Sequence, residues 1–226
     1  MSTFLELVQE LHVEAGAAGS APATVLNQRG EAKRLVNWTK RADRYVQNLW
    51  TNWKFLRAEY DETTTAQSVD MPLLANVSYW DEKTFKLYDP STNEPYFLEL
   101  VEYDAVKSEE RDDSESTPYR LIIMPDGTLE AEPTPDDVYR VTGDAYLAPT
   151  PLVNDADVSV IPEQFHDIIL ARAMILYANY ENAPEIKTQG QEMYTEALER
   201  LQNKQLPNKH QAQFRTGGSF EVIGSQ

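Results

Sequence analysis

The sequence predicts an α+β chain: a helical bundle formed by N- and C-terminal helices, an inserted antiparallel β domain, and an extended C-terminal arm. Three observations predict it. Apolar residues recur at helical spacing near both ends. In the middle, Thr, Val, Tyr and Pro between turn signals replace that period. Beyond Lys204, the residues Pro207, Gly217 and Gly218 with Gln, Asn and Ser give a composition that builds no packed core by itself. The resulting boundaries are 1–60 and 162–204 for the two parts of the helical domain, 61–161 for the β insert and 205–226 for the arm.

In chain order, Thr3 and Glu6 fit a capping box, and Phe4, Leu7, Val8 and Leu11 recur on one face until Gly16. A small-residue loop from Gly16 to Thr24 precedes a longer helix that opens after Gly30 and runs toward Arg57. Its apolar stripe is Leu35, Trp38, Ala42, Tyr45, Val46, Leu49, Trp50 and Trp53. The opposite face carries Lys33, Arg34, Lys40, Arg41, Arg44, Lys54 and Arg57 against Glu31 and Asp43, so a basic helix sits inside an acidic protein. In the insert, Tyr119–Met124 and Thr128–Glu132 flank Pro125-Asp126-Gly127 and read as a hairpin. Further strands are expected at Val77–Trp80, Thr84–Tyr88, Tyr96–Val106 and Val138–Leu147. Helix resumes after Pro162 and is apolar nearly all round through Tyr177; Asn182-Ala183-Pro184 breaks it before a final helix with Ile186, Met193, Ala197, Leu198 and Leu201. Trp38, Tyr45, Leu49, Trp53, Ile168, Ile169 and Leu176 are expected to share one core that closes both chain ends around the insert.

Twenty Lys+Arg against 37 Asp+Glu give a net charge of −17, which opposes wrapping nucleic acid by phosphate neutralisation. Much of the excess lies in residues 99–137, where 13 acidic residues meet three basic ones. The stretch Ser108–Thr117 has no apolar side chain to bury and reads as a mobile, solvated loop, with Glu109, Glu110, Asp112, Asp113 and Glu115 facing solvent. With no cysteine there is no disulfide, no thiolate catalysis and no sulfur-ligated zinc. No apolar run reaches membrane-spanning length and no export signal is visible, so a reducing aqueous compartment is expected and the sequons at Asn37 and Asn76 read as coincidence.

Catalytic motifs are missing. There is no G-x-S-x-G and no phosphate loop, and a single Glu163-x-x-His166 falls short of the paired elements a di-iron bundle needs. His166 is read as a surface or interface histidine near a helix start. No catalytic, cofactor or metal residue is therefore assigned. An enzyme with a carboxylate-based site in the β domain, or a monomeric β-sheet binding module, are the competing readings; a pocket ringed by shifted carboxylates would mark the enzyme. The arm carries Lys204, Lys209, Phe214, Arg215, Phe220, Val222 and Ile223, too few apolar residues to fold alone and too many for a solubilising tail, and it reads as a binding arm.

Phe4–Gly16, Gly30–Trp38 continuing to Trp50-Thr51-Asn52-Trp53-Lys54-Phe55-Leu56-Arg57, and Ile161–Ile169 with Tyr177-Ala178-Asn179-Tyr180-Glu181 together resemble the head-to-tail adaptor (connector) of short-tailed bacteriophages. The resemblance implies a non-catalytic virion protein without cofactor. It implies a ring, usually of twelve copies, below the portal, made in the host cytoplasm and placed in the phage neck. Its implied partners are the portal protein, copies of itself, and the tail nozzle and fibre proteins. DNA would be met only as cargo during genome ejection, and no membrane is involved.

Overall fold

The computed structural model describes residues 2–207, which divide into two compact units. The helical unit comprises 2–47, 52–55 and 151–207; the β unit comprises 48–51 and 56–150. The fold is α+β with mostly antiparallel pairing, and the arm beyond Pro207 lies outside the described residues.

Helix α1 (Phe4–Glu14) starts at a full capping box: Glu6 N–H donates to Thr3 Oγ1 at 3.3 Å, and Thr3 N–H donates to Glu6 Oε2 at 2.7 Å. Helix α2 (Gly30–Gln47) is shorter than the sequence predicts. The chain turns at 48–53 and forms a 3₁₀ turn at Lys54–Leu56, so Trp50 and Trp53 do not continue the helical stripe. Trp53 is nevertheless fully buried, because its indole folds back and donates Nε1–H to the Val46 carbonyl at 3.2 Å.

Near the C-terminal side, a 3₁₀ turn at Glu163–Phe165 leads into α4 (Asp167–Glu181). Asn182 adopts a left-handed conformation at φ 55°, Ala183 N–H closes on the Ala178 carbonyl, and Pro184 opens α5 (Pro184–Gln205). The sequence break at Asn-Ala-Pro is thus a left-handed cap followed by a proline-started helix. Helix α4 buries Ile168, Ile169, Leu170, Ala171, Ala173, Met174, Ile175, Tyr177 and Ala178, so apolar residues surround it on every side. Helices α1, α2 and α5 cover it. Gly190 allows the close approach of α5: a Cβ there would stand 3.2 Å from the Ala171 carbonyl oxygen and from Ile175 Cγ1.

Three members of the expected core are less than fully buried. Tyr45 is 42% exposed at the edge of the bundle, where Arg172 stacks over its ring at 4.1 Å and Tyr194 hydrogen-bonds to it. Leu49 and Leu176 are half-buried.

Asp43 reverses another expectation. It was placed on the solvated basic face, but it is fully buried, accepting hydrogen bonds from Ser159 Oγ at 2.5 Å and Gln47 Nε2 at 2.8 Å. Burial pushes its pKa from 3.8 up to about 6, against the two hydrogen bonds that favour the charged form. Residues 151–161 are stitched to the N-terminal elements. Phe4 N–H donates to the Asp157 carbonyl, and the Asp155 carboxylate receives Thr24 Oγ1 at 2.7 Å and Val25 N–H at 2.5 Å.

The β unit contains β1 (Arg57–Thr63), β2 (Val77–Tyr88), β3 (Pro95–Phe97), β4 (Glu99–Glu102), a single helical turn α3 (Tyr103–Val106), β5 (Glu115–Ser116), β6 (Arg120–Ile123), β7 (Leu129–Glu132), β8 (Thr134–Pro135) and β9 (Arg140–Leu147). Strands β1-β9-β2-β3 form an antiparallel sheet with Arg57 opposite Tyr146 and Thr63 opposite Arg140. The two strands expected at 77–80 and 84–88 are one strand, irregular between Asp81 and Lys86. The predicted hairpin is β6–β7.

β4 pairs with β6, and β5 with β8, in parallel, two pairings that a purely antiparallel insert lacks. The unit's own core gathers Tyr60, Trp80, Phe85, Leu87, Leu98, Leu121 and Val141. Phe85 lies directly over Gly143, where a Cβ would meet its ring carbons at 2.7 Å, so the strand needs glycine there.

Two expectations follow. Ile168→Ala, at a fully buried site on the helix with no solvent face, should cost about 2–5 kcal/mol by chemical denaturation; a cost below about 1 kcal/mol would place Ile168 outside any core. Asp43 binds its proton more tightly folded than unfolded, so the native state holds more protons between pH 4 and 6 and stability falls as pH rises through that window. Relative to Asp43→Asn, the parent should lose about 2–3 kcal/mol from pH 4 to pH 7. Parallel stability profiles for the two proteins would contradict a burial cost at Asp43 that outweighs its two hydrogen bonds.

Candidate functional site

Helix α2 presents Arg34, Asn37, Arg41 and Arg44 at spacings of three, four and three residues, which places them along one face, with Trp38 and Lys40 beside it. Together with Pro151 and Tyr180 these residues line a groove of about 390 Å³ in the helical unit. The floor is aromatic: Trp38 is buried, 5.7 Å from Tyr177 and 5.6 Å from the exposed Tyr180 between ring centroids. The Arg34 guanidinium lies over the Tyr180 ring at 4.7 Å, and its Nε is buried without a hydrogen-bond partner.

The withdrawal of Asp43 into the core leaves Glu31 as the acidic residue of α2 outside it, so the groove is more basic than the residue count suggests. The sequence showed the cations and the tryptophan as opposite faces. It did not show that Tyr180, far along the chain, completes an aromatic wall between them. The one available signal was the i, i+3, i+7, i+10 arrangement of residues 34, 37, 41 and 44.

Glu109, Glu110, Asp112, Asp113 and Glu115 are exposed, but their segment is tied down. Arg111 pairs with Glu130 at 2.7 Å, Arg120 pairs with Glu109 at 3.0 Å, and the Asp112 N–H donates to Glu132 Oε1 at 2.7 Å. Asp112 accepts the Ser114 N–H at 3.1 Å, Glu115 lies in β5, and Glu110 and Asp113 are exposed. Glu132 is buried against Arg120: burial alone would raise its pKa, but the Arg120 hydrogen bond, the Asp112 N–H and the nearby guanidinium charges bring it below its ordinary value. The cavity beside this pair holds about 60 Å³. Asp61, Asp89, Asp112 and Asp126 are likewise shifted down, chiefly by hydrogen bonds from Arg140, Ser91, Ser114 and Thr128. Each resolved carboxylate shift in the β unit therefore favours the charged form, the opposite of what a general acid requires.

His166, placed at the surface or an interface by the sequence, is buried inside the unit, its Nε2 2.9 Å from the Ile161 carbonyl oxygen; it fixes the turn ahead of α4. Among the described residues no group of three or more His, Asp or Glu side chains is placed to hold a metal ion, and no helix is long and apolar enough to cross a membrane. Lys204 is exposed in the last turn of α5, and its carbonyl accepts Lys54 Nζ at 3.2 Å. Lys209, Phe214, Arg215, Phe220, Val222 and Ile223 lie outside the described residues.

No curated protein matches the chain. A family model does, that of the SU10 adaptor protein, over residues 2–217, a span that takes in both helical segments, the whole β insert and the first residues of the arm. The chain belongs to the SU10 adaptor protein family, an adaptor family of bacteriophage structural proteins.

Proposed function

We propose that the protein is the head-to-tail adaptor of a short-tailed phage: copies assemble as a ring, usually of twelve, under the portal vertex, continue the DNA channel and carry the tail nozzle and fibres. The family match over residues 2–217 is the observation that carries this reading. The charge distribution supports it. By sequence the residues of the β unit hold 22 Asp+Glu against seven Lys+Arg, whereas the remainder of the chain is close to neutral. An acidic surface repels phosphate and lets DNA pass without sticking. A basic groove and a basic, apolar arm suit acidic surfaces on neighbouring subunits.

In this reading the protein acts by geometry and needs no reacting group. The portal contact is made by the arm, 205–226, with Phe214, Phe220, Val222 and Ile223 entering a groove on the portal or a neighbouring subunit. Lys204, Lys209 and Arg215 speed the encounter. Burying an apolar side chain of this kind supplies about 1.5–3 kcal/mol at most, part of it lost in ordering the chain, and many arms acting together make the joint firm.

Purified protein mixed with portal rings should form a discrete larger particle by sedimentation, and a lack of complex at micromolar concentrations would defeat the reading. A truncation lacking Pro207–Gln226 should keep the circular dichroism and melting behaviour of the full chain but bind portal rings at least about tenfold more weakly, the equivalent of 1.4 kcal/mol. Equal affinity for the two forms would make the arm a passive tail.

A further inference from the structure

The groove on α2 gathers several cations, of which Lys40 lies in the field of Asp157. Arg41 is exposed and makes no ion pair among the described residues, Lys40 stands beside it, and Arg34 lies in the same groove with a buried Nε that has no partner. Trp38 and Tyr180 give the site an apolar floor. A volume of about 390 Å³ takes a few side chains of an extended segment, not a packed helix. The donors call for carboxylates. Nucleic acid is the poorer occupant, because a chain of net charge −17 repels it at longer range.

The β unit displays such a segment. Within Glu109–Glu115 the one cation, Arg111, is turned back onto Glu130, and Glu109 is held by Arg120. Glu110, Asp113 and Glu115 face solvent, and the backbone is fixed by the Asp112 N–H bond to Glu132 and by the β5–β8 pairing. A segment already held in place loses little freedom on docking.

We propose that the α2 groove of one copy receives the Glu109–Glu115 segment of a second copy. Such a contact joins two different surfaces, so each copy has one groove to fill and one segment to offer, and repetition gives a ring when the rotation between successive copies closes. The inference rests on the ring-forming adaptor reading and names the contact that would build the ring.

The chain has no cysteine, which makes crosslinking clean. Arg41→Cys and Asp113→Cys chains with different tags are mixed under mild oxidation, free in solution and on portal rings. The expected product is the mixed disulfide, formed at least about tenfold faster than either like-with-like dimer and suppressed in about 0.5 M salt. Adding Lys40→Glu to the Arg41→Cys chain should slow it, and Glu110→Lys in the partner chain should restore it. Mixed and like-with-like products forming at equal rates in both settings would overturn the contact. So would a chain carrying both cysteines that crosslinks only to itself, or a groove that prefers a labelled oligonucleotide to a peptide of Ser108–Thr117. Portal binding is read from the same samples: if it persists without the mixed disulfide, the contact fails and the adaptor reading stands, whereas its loss in the unmodified chain removes the adaptor reading itself.

Discussion

Helix α4 has no polar face to turn toward water, and the rest of the helical unit answers to that constraint. An apolar cylinder must be covered on all sides, and α1, α2 and α5 provide the cover. Two of those helices come from the start of the sequence and one from its end. Burying α4 therefore draws the ends of the chain together, and whatever lies between them must leave the bundle and return. The β insert is consistent with that demand. So is the stitching of 151–161 to α1 and the 24–25 loop, which brings the chain back to the bundle just ahead of α4.

Charge is sorted along the same division. The β unit takes most of the negative excess, and on α2 a groove of cations and aromatic rings remains. Within the β unit Arg57, Arg111, Arg120 and Arg140 are each bound to a carboxylate partner, with Asp144 and Asp61 gripped by two nitrogens of Arg57 and Arg140. The exposed pairs add little to stability and mainly set strand register; the buried Arg120–Glu132 pair is costly to break because either partner alone would be an uncompensated charge.

Local signals were legible in the sequence and long-range ones were not. The capping box at Thr3, the helix break at Asn182-Ala183-Pro184 and the hairpin at Pro125-Asp126-Gly127 each depend on residues within a few positions, and each forms as read. The parallel pairing of β4 with β6 depends on which distant strand arrives alongside, which no local pattern encodes. Trp53 was read correctly as buried and wrongly as helical, since burial follows from its chemistry while helix length depends on where the chain must turn. Asp43 was read as solvated because it is charged; its Ser159 partner lies far away in sequence. The same limit hid the groove, whose cations are local to α2 and whose Tyr180 wall is not.

The pairing of Arg57 with Tyr146 opens the β insert with its first and last strands side by side, their Cα atoms about 5 Å apart. The chain therefore enters and leaves this sheet at neighbouring positions. The loop-closure cost of so long an excursion is met by the insert's own β1–β9 ladder and does not fall on the helices. A sheet whose first and last strands pair with each other can change length in its inner strands and loops without moving those two ends.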